Sequence, residues 1–298
     1  MNKSRVVIVT CSRNIPDLSR PDPGLVLAML KKGFQALSGE TEAAAALARW
    51  FRPGETIGIK INTIGRRALS TSPETALTLG LWLGQTISRE ENIIIWDRTS
   101  EELKEAGYKL STAGGGLKIF GTDHRQAGYQ SEPTAHRHIG SLFSRIQAEF
   151  IQASISLALL KDHGLAGVTA GLKNYFGAIH NPNKYHDSNC DPYIAELFET
   201  DHIRKKHRLT IIDALRVQYH RGPSYHPQWL AGARQLVFST DPVAADVVGW
   251  QLIEQLRARK GLPSLQEEKR QPSYLLTAEK LNLGQARLEN IEIIEEEV

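Results

Sequence analysis

The stretch Thr56-Ile57-Gly58-Ile59-Lys60-Ile61-Asn62-Thr63-Ile64-Gly65-Arg66-Arg67-Ala68-Leu69-Ser70-Thr71-Ser72-Pro73-Glu74 decides how the chain is read. Its first six residues form a short apolar run rich in β-branched side chains, the signature of a strand. Its last three open a helix. Pro73 suits the first helical position, where a missing N–H costs nothing, with Ser72 as N-cap; Thr71 with Glu74 offers a capping box as the alternative. Strand, polar loop and capped helix make one β–α unit.

Working outward, the same alternation recurs. Strand-like runs fall at residues 6–10, 56–61, 92–96, 117–120, 154–160, 209–212 and 235–238, and helical patterns at 24–37, 42–51, 73–87, 141–152, 193–198 and 242–259. This order predicts an α/β fold, a mostly parallel β-sheet flanked by helices on both faces. No internal repeat or low-complexity linker interrupts it, so residues 1–298 read as a single domain. The tail from Ile291 to Val298 reads as a last strand followed by a solvated acidic end.

Composition narrows the class. With 41% hydrophobic and 23% charged residues the chain is an ordinary globular protein, and its net charge of +3 gives no field that makes nucleic acid or an anionic membrane the default partner. Arg204-Lys205-Lys206-His207-Arg208 precedes an apolar run and lacks interleaved aromatics, so it reads as a solvated helix end and no nucleic acid is expected. Cys11 and Cys190 are too few for a disulfide framework or for the four thiolates of an intrinsic iron–sulfur cluster. The chain starts straight into a strand, with no signal core and no stretch of membrane-span length. It reads as soluble: cytoplasmic as it stands, exported if a signal was removed from a longer precursor.

Ligands of open α/β sheets sit beyond the carboxyl ends of the strands, so the residues after each run are the candidates. Lys60 lies at the end of one run and Asn62 follows it. The next loop brings Arg66, Thr71 and Ser72 to a helix N-terminus, where free N–H groups and the dipole suit an anion. Asp97 and Asp213 end two further runs. Asp241 before Pro242 reads as an N-cap, and Asp246 lies one turn on, where it could face the same cavity.

Residues 161–191 are the densest in chemistry: Lys161, His163, Lys173, Asn174, His180, His186, Asp187, Cys190 and Asp191 lie among four glycines, and all ten histidines of the chain fall between His124 and His226. Alternation along a strand puts Lys161 and His163 on one side and Asp162 on the other. Residues 169–174 read as the start of a helix that Pro182 breaks. Two chemistries compete. His163, His180, His186 and Cys190 offer nitrogen and thiolate ligands to a zinc- or iron-like ion. Without metal, Lys161, Lys173 and Asn174 hold a carboxylate or phosphate while His163 or His180 moves a proton. A polar network pairing the lysines with Asp187, Asp191 or Asp213 is the structural alternative.

The order of motifs resembles the DUF362 family. The resemblance rests on Gly58-Ile59-Lys60-Ile61-Asn62, Ser70-Thr71-Ser72-Pro73-Glu74, Ile95-Trp96-Asp97-Arg98, Lys161-Asp162-His163, Leu172-Lys173-Asn174-Tyr175-Phe176-Gly177, Tyr185-His186, Ile212-Asp213-Ala214 and the run from Ser239 to Asp246, and spans about residues 50 to 250. The family is named for lacking an assigned activity. Members are often fused to ferredoxin-type domains and others carry twin-arginine export signals, which implies redox chemistry or a cofactor folded before export. This chain lacks the cysteine-rich ferredoxin segment, so it resembles a stand-alone member. The reading that results is an enzyme acting on a small anionic substrate at a Lys/His/Asn-lined cleft, with a transition metal as a candidate cofactor. The alternative is a non-catalytic metal- or anion-binding accessory protein with a redox partner.

Overall fold

β-Branched and aliphatic runs become strands because their stiff side chains pack well on a pleated surface, and here they assemble into one large sheet. The computed structural model describes residues 3–298. Its strands are β1 (Ser4–Thr10), β2 (Ile57–Lys60), β3 (Ile93–Asp97), β4 (Lys118–Gly121), β5 (Thr134–His136), β6 (Ile139–Ser141), β7 (Ala153–His163), β8 (Gly167–Thr169), β9 (His207–Gln218), β10 (Leu230–Ala231), β11 (Gln235–Ser239) and β12 (Ile291–Glu297). The helices are α1 (Pro23–Ser38), α2 (Ala43–Ala48), α3 (Pro73–Thr86), α4 (Ser100–Glu105), α5 (Tyr193–Glu199), α6 (Asp201–Arg204), α7 (Pro242–Ala258) and α8 (Tyr274–Lys280).

The sheet runs β12-β1-β11-β9-β7-β2-β3-β4. Neighbours along it are parallel except where β11 lies antiparallel to both β1 and β9. The expected α/β architecture with a mostly parallel sheet is therefore the one observed. Alternate residues feed two cores: Ile93, Ile95, Ile155 and Leu157 pack with α1 and α3 on one face, whereas Ile94, Trp96 and Leu160 pack with α5 and α7 on the other. Strands covered on both faces need apolar residues in both directions, which is why these runs are continuous.

Helix starts follow their caps. Ser72 Oγ accepts the Thr75 amide at 3.0 Å, which makes Ser72 the N-cap of α3. Asp241 accepts the Val243 and Ala244 amides, both at 2.9 Å, and caps α7.

Three local expectations are corrected. Residues 141–152 are not an α-helix: β6 ends at Ser141 and a single wide helical turn covers Ile146–Phe150. Tertiary hydrogen bonds hold the chain open there, from the Ser144 amide to the Ala178 carbonyl (2.7 Å) and from the His180 amide to the Leu142 carbonyl (3.0 Å). Residues 169–174 do not begin an α-helix either. β8 ends at Thr169, and a 3₁₀ segment, Lys173–Ala178, follows a turn whose Gly171 and Leu172 amides donate to Asp246 at 2.6 and 3.1 Å. The acidic tail is not a loose end, since Glu292, Glu295, Glu296 and Glu297 lie within β12, paired in parallel with β1. Charges on such an edge discourage further strand pairing.

Candidate functional site

From β2 the chain builds outward through β3 and β4, then returns to place β7 on the other side of β2. The direction of building reverses between β2 and β7, and at that point the carboxyl ends of neighbouring strands diverge into a crevice. A cavity of about 370 Å³ opens there. Lys60 and Asn62 reach it from the end of β2, Asp97 from β3, Lys161 and His163 from β7, and Lys173, Asn174 and His186 from the segment that follows. β7 outruns β2, folds back on β8 with Lys161 opposite Thr169, and so carries Lys161 and His163 past the end of β2. Asp162 points away, as alternation requires, and meets Arg270 at 2.5 Å and the Gly222 amide at 2.8 Å.

Lys60 is consumed by the fold. Its Nζ donates to Asp97 Oδ1 (2.6 Å), the Ile61 carbonyl (2.7 Å) and Asn174 Oδ1 (3.4 Å). Asp97 Oδ2 accepts from the Thr63 amide and hydroxyl, both at 2.7 Å. Asn174 Nδ2 donates to the Lys60 carbonyl (2.8 Å) and Ser156 Oγ (3.0 Å). This buried knot floors the cavity and leaves none of the three ammonium protons for a ligand. Gly177 lies against it, and a Cβ there would stand 2.7 Å from Lys60 Nζ and 2.8 Å from Asp97 Oδ1.

The other two lysines are different. Lys161 is fully buried, and its Nζ donates to Asn62 Oδ1 at 3.1 Å. Lys173 is 7% exposed; its Nζ lies 3.2 Å from His186 Nε2 and 4.2 Å from the centre of the Phe176 ring. Among the described residues neither pairs with a carboxylate, so the alternative of a polar network with Asp187, Asp191 or Asp213 does not form. Burial, aided by the charge of Lys173, lowers the pKa of Lys161 to about 7. Burial likewise lowers that of Lys173 to about 8. Desolvation penalises the ammonium form, and at Lys161 it outweighs the opposing fields of Asp97 and Glu102.

Hydrogen bonds fix both histidine tautomers. His163 Nδ1 accepts the Leu165 amide at 3.2 Å and the Ala166 amide at 3.1 Å, so the ring proton sits on Nε2. Burial first, then Lys173, lowers the His163 pKa to about 2, and the ring is neutral. It is therefore a hydrogen-bond donor at Nε2 with no free lone pair for base catalysis. His186 is the reverse: Nδ1 donates to the Pro182 carbonyl at 3.0 Å, and the Nε2 lone pair faces Lys173. Burial lowers its pKa also. The two rings stack with centroids 5.8 Å apart.

Several sequence-predicted site residues lie outside the cavity. His180 is exposed and turns its ring against Tyr129, centroids 5.0 Å apart. Arg66 is 74% exposed and pairs with Glu105 at 3.2 Å. The anion site expected at the start of α3 is filled from within: Ser72 caps the helix, Thr71 Oγ1 donates to the Leu157 carbonyl at 3.2 Å, and buried Asp213 takes hydrogen bonds from the Ser72 backbone and the Thr75 side chain. Asp246 does not face the cavity, being buried beneath the Gly171–Leu172 turn. The four expected metal ligands are not gathered, and among the described residues no group of three or more His, Cys, Asp or Glu could hold an ion. His163 Nδ1 is occupied by two amides, His180 faces elsewhere, and burial raises the pKa of the Cys190 thiol, which opposes thiolate formation.

Sequence reasoning missed the apolar walls. Phe176, Pro182, Pro223 and the exposed side chains of Ile64 and Leu165 line the cavity, with Arg98 and Glu102 on its rim. Phe176 and Arg98 lay within recognised motifs. Exposed Ile64 and Leu165 carry no local signal, because their role depends on where two distant loops meet.

The sheet and its crevice define an open-sheet α/β protein whose polar side chains converge beyond the strand ends. The chain belongs to the DUF362 family, since the family model described as "Domain of unknown function (DUF362)" matches residues 57–251. No curated protein matches its sequence. A solved structure of a protein from Thermotoga maritima is similar with a TM-score of 0.45 and 10% identity, over 82% of this chain and 60% of that one. Among the described residues, no helix is long and apolar enough to cross a membrane.

Proposed function

We propose that the cleft takes a small organic anion, a carboxylate or phosphate, and that the protein is an enzyme acting on it through Lys161, Lys173 and His163. One observation carries this reading: two buried lysines line a single cavity with only neutral hydrogen-bond partners, Asn62 and His186. Buried lysines without a carboxylate partner keep a positive charge only at a cost, and an entering anion lowers that cost. His163 adds a neutral Nε2–H donor to the same space. Because its other nitrogen is committed to backbone amides, proton transfer falls to the lysine amines, with His186 Nε2 beside Lys173. The walls formed by Ile64, Leu165 and Phe176 suit an apolar body behind the charged group.

Calorimetric titration with 3-phenylpropanoate and with phenyl phosphate tests the reading. Parent protein binds at least one of them, and Lys161→Met and Lys173→Met each lose about tenfold or more, the scale of one charge-assisted hydrogen bond. Equal affinity in parent and both variants would show that the lysines do not meet the ligand.

A further inference from the structure

We propose that Lys161 is a Schiff-base lysine, whose amine condenses with the carbonyl of an oxo-acid held in the cleft by Lys173 and the Nε2–H of His163. The inference rests on the anion-binding reading and specifies its substrate class and chemistry.

The three lysines of the cavity are not equivalent. Lys60 has all three protons engaged. Lys173 stands over the face of Phe176 and points at the His186 lone pair, two features that favour its ammonium form. Lys161 has neither. Its side-chain partner is the Asn62 carbonyl oxygen, which accepts a proton equally well from an amine and leaves the nitrogen lone pair free. Two neighbouring amines in a buried site do not both keep their protons, and the better-stabilised one retains it. Lys161 then remains as the neutral amine, the state a nucleophilic lysine needs; a desolvated site beside a second cation is a recognised way to reach it. Its pKa near 7 agrees with that assignment.

An oxo-acid matches what remains. Its carboxylate takes the Lys173 ammonium and the His163 Nε2–H, its carbonyl carbon is presented to Lys161, and its apolar body lies along Ile64, Leu165 and Phe176. The Lys161 lone pair forms the new C–N bond while the carbonyl π pair moves to oxygen, which is protonated to give a carbinolamine. The C–O bond then breaks. Oxygen departs as water with the two hydrogens lost from the amine nitrogen, leaving the imine. Lys173 is the group placed to lend and recover a proton during this exchange, and no oxidant or reductant is consumed.

Borohydride trapping of the full-length protein with phenylpyruvate tests the assignment, with peptide mapping to find the modified lysine and calorimetry with 3-phenylpropanoate, which lacks the carbonyl, as the parallel arm. A reduced secondary-amine adduct is expected at Lys161, about tenfold above any surface lysine because surface amines are protonated at neutral pH. It is expected to vanish in Lys161→Met while trace surface labelling stays. Binding of 3-phenylpropanoate without an adduct at Lys161 overturns the imine and leaves the anion reading standing. An adduct at Lys173 instead overturns the division of roles. Binding of neither 3-phenylpropanoate nor phenyl phosphate, together with no adduct, overturns both readings.

Discussion

At the scale of a residue, burial decides what each titratable group of the cleft can do, and it leaves a mark on stability. Lys161 has a folded-state pKa of about 7 against an ordinary 10.5. Between those values the unfolded chain binds more protons than the folded one, so stability rises with pH across that window. Below pH 7 the penalty is present in full; above 10.5 it is gone. Lys161→Met is therefore expected to stabilise the ligand-free protein at pH 6 by on the order of a few kcal/mol, seen as a higher melting temperature, with the advantage shrinking steadily towards pH 10. Melting curves of parent and variant across pH check this, and a gap that stays constant with pH would mean that Lys161 is not desolvated as drawn. His163, with its pKa lowered to about 2, works in the same direction on the acid side. Its unfolded form gains a proton below about 6.5 that the folded form refuses, so stability falls as pH falls from there.

At the scale of an element, the segment from Gly171 to Ala178 sets the site, and it was the least legible part of the sequence. The strands could be read because β-branched runs declare themselves locally, and the caps at Ser72 and Asp241 because their side chains act within one turn. What holds Lys173 in place is not local. Asp246, on α7, accepts the Gly171 and Leu172 amides from 75 and 74 residues away, and Gly177 is bare because Lys60 and Asp97 press against it. No period or spacing encodes such contacts, which is why residues 169–174 pass for a helix start and residues 141–152 for a helix. The same long-range dependence hides the filling of the α3 N-terminus by Asp213. Two consequences follow at this scale. Asp246→Ala frees two buried amides, costs about 1–3 kcal/mol each at most, and weakens 3-phenylpropanoate binding although Asp246 lies outside the cavity. Gly177→Ala drives a methyl group into the Lys60–Asp97 pair; breaking a buried pair costs about 3–5 kcal/mol, so a marked drop in urea midpoint is expected. Wild-type affinity in the folded Asp246→Ala protein would show that the turn is positioned by something other than that carboxylate.

At the scale of the molecule, the site and the strand that closes the sheet are far apart in the topology. The crevice lies at β2 and β7, whereas β12 sits beyond β9, β11 and β1 at the opposite edge. β12 is bound along its length to β1 and buries Ile291 in the core, yet it contributes no side chain to the cavity. Its removal uncovers the β1 edge, a row of unpaired N–H and C=O groups that invites pairing with another chain. Deleting residues 291–298 is accordingly expected to lower stability and promote self-association, read as a fall in melting temperature and a shift to larger species in sedimentation. The fraction that remains monomeric and folded keeps its affinity for 3-phenylpropanoate within about twofold, since changes at distant, unconnected sites add nearly independently. Loss of binding in that fraction would show that β12 and the crevice are coupled through the sheet, and that the lysine pair depends on the whole scaffold and not only on β2, β7 and the turn that Asp246 holds.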